Sequence, residues 1–485
     1  MRTVLVDPIT RIEGHLRIEL RVEDGVIREA YSSGGLYRGL EEILVGRHPL
    51  DAQKITSRIC GVCPLAHSLA AAYCLDDALG LSAQVPPNGR LLRNLIYGAN
   101  FLHNHILHFY HLALPDYLDP SVLSGGLAAL GGLLSAGVPA GEGRFSVSET
   151  ESLVSHYVEA LDVRRRAHEL EALFGGKMPH DMAIVPGGVT YRPGLAEVEA
   201  YRFRLKEIRD FLEARYFPDV LLFVARHRDH FALGRVGNLL SFGCFPLSDG
   251  TSGLGERLFP AGVLRAGRVA PLEVAGITES IARSWYDGDE SAVPIAGRAE
   301  PTPGRDEGYS WVKSPRYGGE PFEVGPAARV RIGLELGDTA FREMAREFLR
   351  EAGVGPDDLS SVAGRHLARA IEARYLSRKL DEWLDALDLG GPIAAPFTIP
   401  DEAEGCGLTC APRGALGHWV RIRDGRIRNY QVISPTTWNA SPRDGDGAPG
   451  PIEQALAGTR VKGDGLVEAG RIVRSFDPCL ACAVQ

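Results

Sequence analysis

Apolar and polar residues alternate near the start of the chain, where Leu16, Ile18, Leu20 and Val22 are separated by Arg17, Glu19 and Arg21. A period of two marks a half-buried strand, and Asp24-Gly25 ahead of Val26-Ile27 is a hairpin turn. The same grammar returns near the other end: Val420-Arg421-Ile422-Arg423, then Asp424-Gly425, then residues 426–432. Between the hairpins the period lengthens. Leu153, Val154, Tyr157, Val158 and Leu161 recur at helical spacing behind Ser148-x-x-Glu151, which has the form of a capping box. That pattern runs through Leu170, Leu173 and Phe174 to a Gly175-Gly176 stop. Leu205, Ile208, Leu212 and Tyr216 mark another helix, with its end expected near Pro218, and residues 91–112 and 341–387 carry more. The pattern predicts a mainly α chain with small β-hairpins, an α+β fold. No internal repeat or linker divides it, so residues 1–485 are read as a single domain.

Composition narrows the classes. Apolar residues make up 45% and charged residues 24%, globular values that exclude a disordered or fibrous chain. A net charge of −9 argues against a general nucleic-acid-binding protein. The opening residues lack the apolar run of a signal peptide. The charge-free stretch 121–141 is broken by so many glycines that a membrane span is a poor reading, and it is expected to be a buried or mobile Gly-rich segment. Residues 292–308, rich in Pro, Gly and Arg, are expected to form a long surface loop. The chain alone reads as soluble, reaching a membrane only through partners. Its compartment is left open, export alongside a partner included.

Eight cysteines in a chain this long do not form a secreted disulfide framework. Four make two C-x-x-C pairs, Cys60/Cys63 and Cys479/Cys482, and Cys74, Cys244, Cys406 and Cys410 stand apart. A four-cysteine zinc site takes its halves from within about 20 residues, and these pairs lie near opposite ends of the chain. A thioredoxin-like pair needs a βαβ context that neither has. A thiolate site tying the two ends together would suit a soft, redox-active metal. Spacing alone leaves that reading level with the other two together.

The flanking residues add a resemblance. Arg58-Ile59-Cys60-Gly61-Val62-Cys63-Pro64-Leu65-Ala66-His67 and Asp477-Pro478-Cys479-Leu480-Ala481-Cys482 resemble the two metal-binding signatures of nickel–iron hydrogenase large subunits. Asp7-Pro8-Ile9-Thr10-Arg11-Ile12-Glu13-Gly14-His15-Leu16 looks like that family's N-terminal strand. His108-Phe109-Tyr110-His111-Leu112 looks like its helix beside the gas path. Pro315-Arg316-Tyr317 with Glu323-Val324-Gly325-Pro326, Ala411 to Trp419, and Pro435-Thr436-Thr437-Trp438-Asn439 complete an ordered set covering nearly the whole chain.

The resemblance implies the large helical-bundle domain of that family and reversible, heterolytic cleavage of H2 to protons and electrons, in the direction of H2 uptake. It implies nickel held by Cys60, Cys63, Cys479 and Cys482, with Cys63 and Cys482 bridging to an iron that carries carbon monoxide and cyanide. Glu13 resembles the family's proton-transfer glutamate, exchanging a proton with the terminal thiolate of Cys479. Its carboxylate, poorly solvated, can have its pKa raised toward that task. Arg413 would hang over the open face of the metals and act electrostatically, because a guanidinium is hard to deprotonate. Thr436 would hydrogen-bond a cyanide, Pro412 and Pro435 would wall the pocket, and His67 and Arg316 would support it from behind. Glu41, the Val432 carbonyl and Gln485 are the implied ligands of a structural magnesium or iron ion. The implied partners are an iron–sulfur small subunit and the maturation proteins that insert nickel and iron.

Several positions depart from the family pattern. Asn104 stands where an aspartate commonly pairs with the arginine, which would leave Arg413 less compensated. Cys410 stands where a glutamate is usual, and with Cys406 nearby a local disulfide or extra ligation is open. After Cys482 the family usually has two residues, a histidine and a cleaved extension; here the residues are Ala483-Val484-Gln485. Either the sequence is the mature form or no extension is encoded, as in hydrogen-sensing members. A sensor with slow turnover is the alternative function, and relatively small Val62 and Leu112 on the implied gas path count against it. A metal-free subunit of a respiratory complex is a further rival, opposed by the four intact cysteines.

Overall fold

The alternating strand Leu16–Glu23 pairs antiparallel with Val26–Gly34, as the Asp24-Gly25 turn requires. A third strand, Arg2–Val6, adds to its other edge. The second hairpin, Gly414–Arg423 and Arg426–Ile433, likewise gains a partner in Ala403–Ala411. Structure is described here for residues 1–134, 138, 143–248, 254–288, 292–297, 299–463 and 466–484 of a computed structural model.

The strand Ala403–Ala411 escapes a period-two search because glycine occupies one of its faces. Gly405 and Gly407 lie against the helix Pro64–Ala78, and a Cβ on Gly407 would stand 2.2 Å from the Ala70 carbonyl oxygen. The missing side chains let helix and sheet approach closely, which fixes the helix that follows Cys63. A four-stranded sheet ordered Glu323–Val324, Leu239–Pro246, Arg257–Arg265, Arg268–Ala270 was not expected at all. Leu239–Pro246 is buried along its whole length and so shows no alternation.

Helices account for most of the rest. Pro87–Ile106 runs on into a wider π-turn at Leu107–Ala113. Val147–Gly175 ends at Gly176, whose φ of 83° is the left-handed geometry of a helix stop. Its capping box is Ser146 with Glu149, not Ser148 with Glu151: the Ser146 hydroxyl accepts from the Glu149 N–H and the Glu149 carboxylate accepts from the Ser146 N–H. Leu153, Val154 and Tyr157 face inward, whereas Val158 and Leu161 face solvent. Pro218 does not end the next helix. Leu195–Phe211 widens into a π-turn at Leu212–Tyr216 and continues as Phe217–Arg226, with Pro218 in the first turn, where a proline is tolerated.

Thr339–Glu351 and Val362–Asp385 fill the expected region 341–387. The described part of 121–141 forms short turns and is largely exposed rather than buried. Within 292–308, Ala299–Pro301 pairs with Tyr286–Gly288, so that loop carries a small hairpin of its own. Among the described residues, no helix is long and apolar enough to cross a membrane.

The main core gathers Pro64–Ala78, Pro87–Ile106, Val147–Gly175, Val362–Asp385 and the C-terminal sheet, and it includes the four paired cysteines. A second core lies between the N-terminal sheet and residues of Leu466–Ser475 and Leu480–Ala483. One buried carboxylate pins these parts together. Asp116 accepts from Arg11 and from Arg474, and its backbone carbonyl accepts from Arg471 at 2.6 Å. Arg474 also donates to the Thr10 carbonyl at 3.0 Å. Two segments that carry candidate site residues, 10–13 and 474–479, are therefore held by the same anchor. Asp116→Asn should destabilise the chain by about 3–5 kcal/mol, the range for removing one partner of a buried ion pair. The shift of the denaturant midpoint measures it, and an unchanged midpoint would mean that the anchor is dispensable.

Candidate metal centre

Each C-x-x-C lies where a loop enters a helix. Cys63 precedes Pro64, the first residue of Pro64–Ala78, and Cys479 precedes Leu480–Ala483. Proline opens the first helix because its missing N–H would have been unpaired there anyway. The turn aims two backbone donors at one sulfur: Val62 and Cys63 N–H lie 3.2 and 3.3 Å from Cys60 Sγ. The second pair is held by the N-terminal segment. Glu13 bridges to Cys479 in parallel, and its carbonyl accepts from the Leu480 N–H at 2.8 Å. Gly14 makes this approach possible, since its φ is +80° and a Cβ would stand 2.9 Å from the Ala481 nitrogen. The Cys479 N–H donates to Thr436 Oγ1 at 2.9 Å.

These supports bring four sulfurs together. Cys60 and Cys479 Sγ are 3.5 Å apart, Cys63 and Cys482 are 3.4 Å apart, and Cys479 and Cys482 are 2.8 Å apart. All four ligand atoms lie within 4.8 Å of one another, and all four residues are buried. No other group of three or more metal-ligating side chains forms among the described residues. Donors this close suit a soft cation, around which metal–sulfur bonds of about 2.3 Å hold thiolates at comparable spacing.

Protonation follows from crowding. S–H donors on Cys479, Cys482 and Cys63 stabilise a thiolate on Cys60, whose pKa falls well below the usual thiol range. Burial and the neighbouring sulfurs push Cys479 and Cys482 the other way. A bound soft cation would release the protons these thiols carry.

One carboxylate meets the sulfurs, and one guanidinium acts on them through its charge. Cys479 Sγ donates to Glu13 Oε2 at 3.2 Å, and the Ala481 N–H reaches the same oxygen at 3.2 Å. Burial, then the charge on Cys60, raises the Glu13 pKa; the bonds from Cys479 and Ala481 oppose that. Arg413 is buried, and burial disfavours its charge, but Asp477 and then the thiols of Cys63, Cys479 and Cys60 more than offset this. Its Nε donates to the Asp477 carbonyl and one Nη to the Asp477 carboxylate, both at 3.0 Å; the other Nη donates to Asn104 Oδ1 at 2.9 Å.

The neutral amide at 104 gives Arg413 a hydrogen bond but no charge, and its compensation comes from elsewhere. Asp477 is the counter-ion, a role missed in the sequence although it immediately precedes Pro478-Cys479. It sits at φ 59°, a left-handed geometry that aspartate tolerates better than most residues. Also missed was a clamp behind the arginine loop. Arg329 donates to the Ala411 and Pro412 carbonyls, each at 2.8 Å, and pairs with Glu372, which His105 meets at 3.1 Å.

Other expected residues are more dispersed. Pro412 and Pro435 are buried, Pro435 opening the helix Pro435–Asn439 that carries Thr436. His67 Nδ1 meets His418 Nε2 at 3.2 Å, and His418 Nδ1 meets the Tyr430 hydroxyl at 2.8 Å. Burial lowers the His67 pKa to about 4, so it is neutral at pH 7. Arg316 holds the following loop instead, through Asp444, Ser441 and the Pro442 and Ala448 carbonyls. Glu41 accepts from the Val432 N–H at 2.8 Å and from Lys313 at 3.1 Å, and Lys313 also donates to Gln431 at 3.0 Å. A lysine ammonium thus already neutralises Glu41; Gln485 lies outside the described residues. Cys406 and Cys410 are free and sit on one strand, where residues four apart are about 13 Å from each other, too far for a disulfide.

The comparisons with known proteins agree with this centre. A family profile described as nickel-dependent hydrogenase matches residues 38–126 and 142–485, and one described as HoxL-like matches residues 3–32. The chain is 40% identical to the periplasmic [NiFeSe] hydrogenase large subunit of Desulfomicrobium baculatum, covering 99% of this chain and 94% of that one. It is 34% identical to the uptake hydrogenase large subunit of Rhodobacter capsulatus, covering 100% and 95%. The solved Ni-Fe-Se hydrogenase of D. vulgaris Hildenborough in its reduced state superposes with a TM-score of 0.90 at 40% identity, over the full length of both chains. In this chain all four candidate ligand positions are cysteine. With its paired thiols, its fold and its full-length relatives in agreement, the chain belongs to the nickel-dependent hydrogenase family, as an H2-oxidising nickel–iron hydrogenase large subunit.

Proposed function

We propose that this chain cleaves H2 heterolytically at a nickel–iron centre held by Cys60, Cys63, Cys479 and Cys482, running toward H2 uptake. The observation that supports it most is the Glu13 carboxylate 3.2 Å from Cys479 Sγ, inside a buried four-thiol cluster. When bound, the metal pair supplies the Lewis acidity and redox capacity that no side chain offers. Glu13 takes the proton from the Cys479 sulfur and passes it outward, a task its raised pKa suits. Arg413, kept charged by Asp477, presents a fixed positive field to the open side of the thiolates. Thr436 Oγ1 already accepts from the Cys479 N–H, which leaves its own proton to donate to an anionic ligand such as cyanide on the iron. Pro412 and Pro435 are assigned to the apolar wall of that pocket.

A centre buried in an apolar core needs an exit for electrons. The other four cysteines form no cluster among the described residues, so an iron–sulfur small subunit is the proposed acceptor. Maturation proteins would deliver iron with carbon monoxide and cyanide, and nickel, before the two ends close. A structural ion at Glu41, the Val432 carbonyl and Gln485 would have to displace or share the charge of Lys313. The relatives named as periplasmic and uptake enzymes favour turnover over the sensing alternative.

The assembled protein should contain nickel and iron in equal amounts and show infrared bands of carbon monoxide and cyanide. Cys479→Ser should remove nickel and activity together. Zinc alone, with no such bands, would refute the centre. Glu13→Gln should keep its metals while H/D exchange slows by about 10²–10⁴-fold, the usual effect of losing a positioned acid or base. Unchanged exchange would point to another proton route. Arg413→Lys should cut turnover by about 10²-fold or more, as for loss of one positioned electrostatic group. Wild-type turnover in that variant would make Arg413 a wall residue only.

A further inference from the structure

The hydrogen bonds beyond Arg413 run in one direction. A guanidinium only donates, so the Asn104 atom 2.9 Å from Arg413 must be its carbonyl oxygen. The Asn104 amide nitrogen then points away and donates to the Asn100 backbone carbonyl at 2.8 Å and to Asn100 Oδ1 at 3.2 Å, with His103 Nε2 as a further neighbour at 3.0 Å. That in turn fixes the Asn100 amide, whose nitrogen donates to Glu171 Oε2 at 2.9 Å. Asn104 and Asn100 are one turn apart on Pro87–Ile106, and Glu171 reaches them from Val147–Gly175. All three are buried, and Glu171 Oε1 has no hydrogen-bond partner.

The direction of both amides is set from the Arg413 end, by a donor that cannot accept and by the Asn100 backbone carbonyl that cannot donate, and Glu171 closes the chain at the other end. We propose that Glu171 is a positioning residue for the metal centre: as the terminal acceptor of the chain Arg413→Asn104→Asn100→Glu171, it holds the Asn100 side chain against Asn104, the residue that in turn holds Arg413 beside the thiolates. The inference rests on the role proposed above for Arg413. Glu171 touches none of the cysteines, and its carboxyl terminates a relay of neutral amides. Burial pushes its pKa up to about 8; the Asn100 bond opposes this and Asp181 adds to it. Asp181 follows the end of its own helix, and the Tyr201 phenol faces it from Leu195–Phe211. Near neutral pH it therefore accepts as an acid, and above about pH 8 as a stronger, anionic acceptor.

Glu171→Leu removes the acceptor, whereas Glu171→Gln keeps an acceptor and removes the charge. Both would be compared with the wild type and with Arg413→Lys in the complete, metal-loaded enzyme. Leu should lower turnover by about tenfold, the size of one lost buried hydrogen bond, with nickel retained. Gln should recover most of that loss, and its turnover–pH curve should lack the step near pH 8 that the wild type shows. Unfolding gives a second readout. A carboxyl that ionises at 4.5 when unfolded and about 8 when folded costs the wild type stability as pH rises through that interval. The Gln variant should therefore gain on the wild type between those pH values.

If Leu fails to fold, the pH curve of Gln decides alone. A step near pH 8 that survives in Gln, or wild-type turnover in Leu beside an impaired Arg413→Lys, would overturn the positioning role and leave that of Arg413 standing. An unimpaired Arg413→Lys would remove both.

Discussion

The site depends on a meeting between the two ends of the chain. Glu13 pairs its backbone with Cys479 and its carboxylate with the Cys479 sulfur, so one residue both places the second cysteine pair and faces it chemically. Little else could substitute. The short helix Leu480–Ala483 is only four residues long, and a helix of that length has no stability of its own. It is ordered by Glu13, by Gly14 beneath it and by Thr436 behind it. The buried Asp116, shared between Arg11 and Arg474, holds both approaching segments at the distance this contact requires.

A buried cationic arginine beside thiols is costly unless its partners are complete. Here they are: Asp477 takes two of its donors and Asn104 a third. The charge that a carboxylate at 104 would have provided comes instead from the residue just ahead of Pro478. Arg329, paired with Glu372, fixes the loop from the other side through the Ala411 and Pro412 carbonyls. The arginine's charge is thus held in a rigid frame, as the electrostatic role proposed for it requires.

Burial gives the centre its chemistry and also isolates it. Burial, partial at Glu13 and complete at His67, raises the first pKa, holds the second residue neutral and favours the protonated form of Cys479. It also encloses the centre in an apolar core, and among the described residues no second metal-ligating cluster stands beside it, which is why the proposed function includes a redox partner.

Local pattern was enough for the two hairpins, because Asp-Gly turns and period-two alternation are written in adjacent residues. It was enough for the helices at 91–112, 147–175 and 341–387 too, and for the two cysteine pairs with their flanks. It misplaced the capping box by two residues and ended a helix at Pro218, where a π-turn lets the chain continue. Strands such as Leu239–Pro246 and Ala403–Ala411 stayed hidden, since burial on both faces or glycine on one erases alternation. The assembly of the site was not local either. Glu13 beside Cys479, Asp477 under Arg413, Glu372 behind Pro412 and Lys313 against Glu41 join residues far apart in the chain. The sequence alone determined which side chains could bind a soft metal; which carboxylate answers which cation was decided only by packing, because a buried charge takes whatever partner the fold brings within reach.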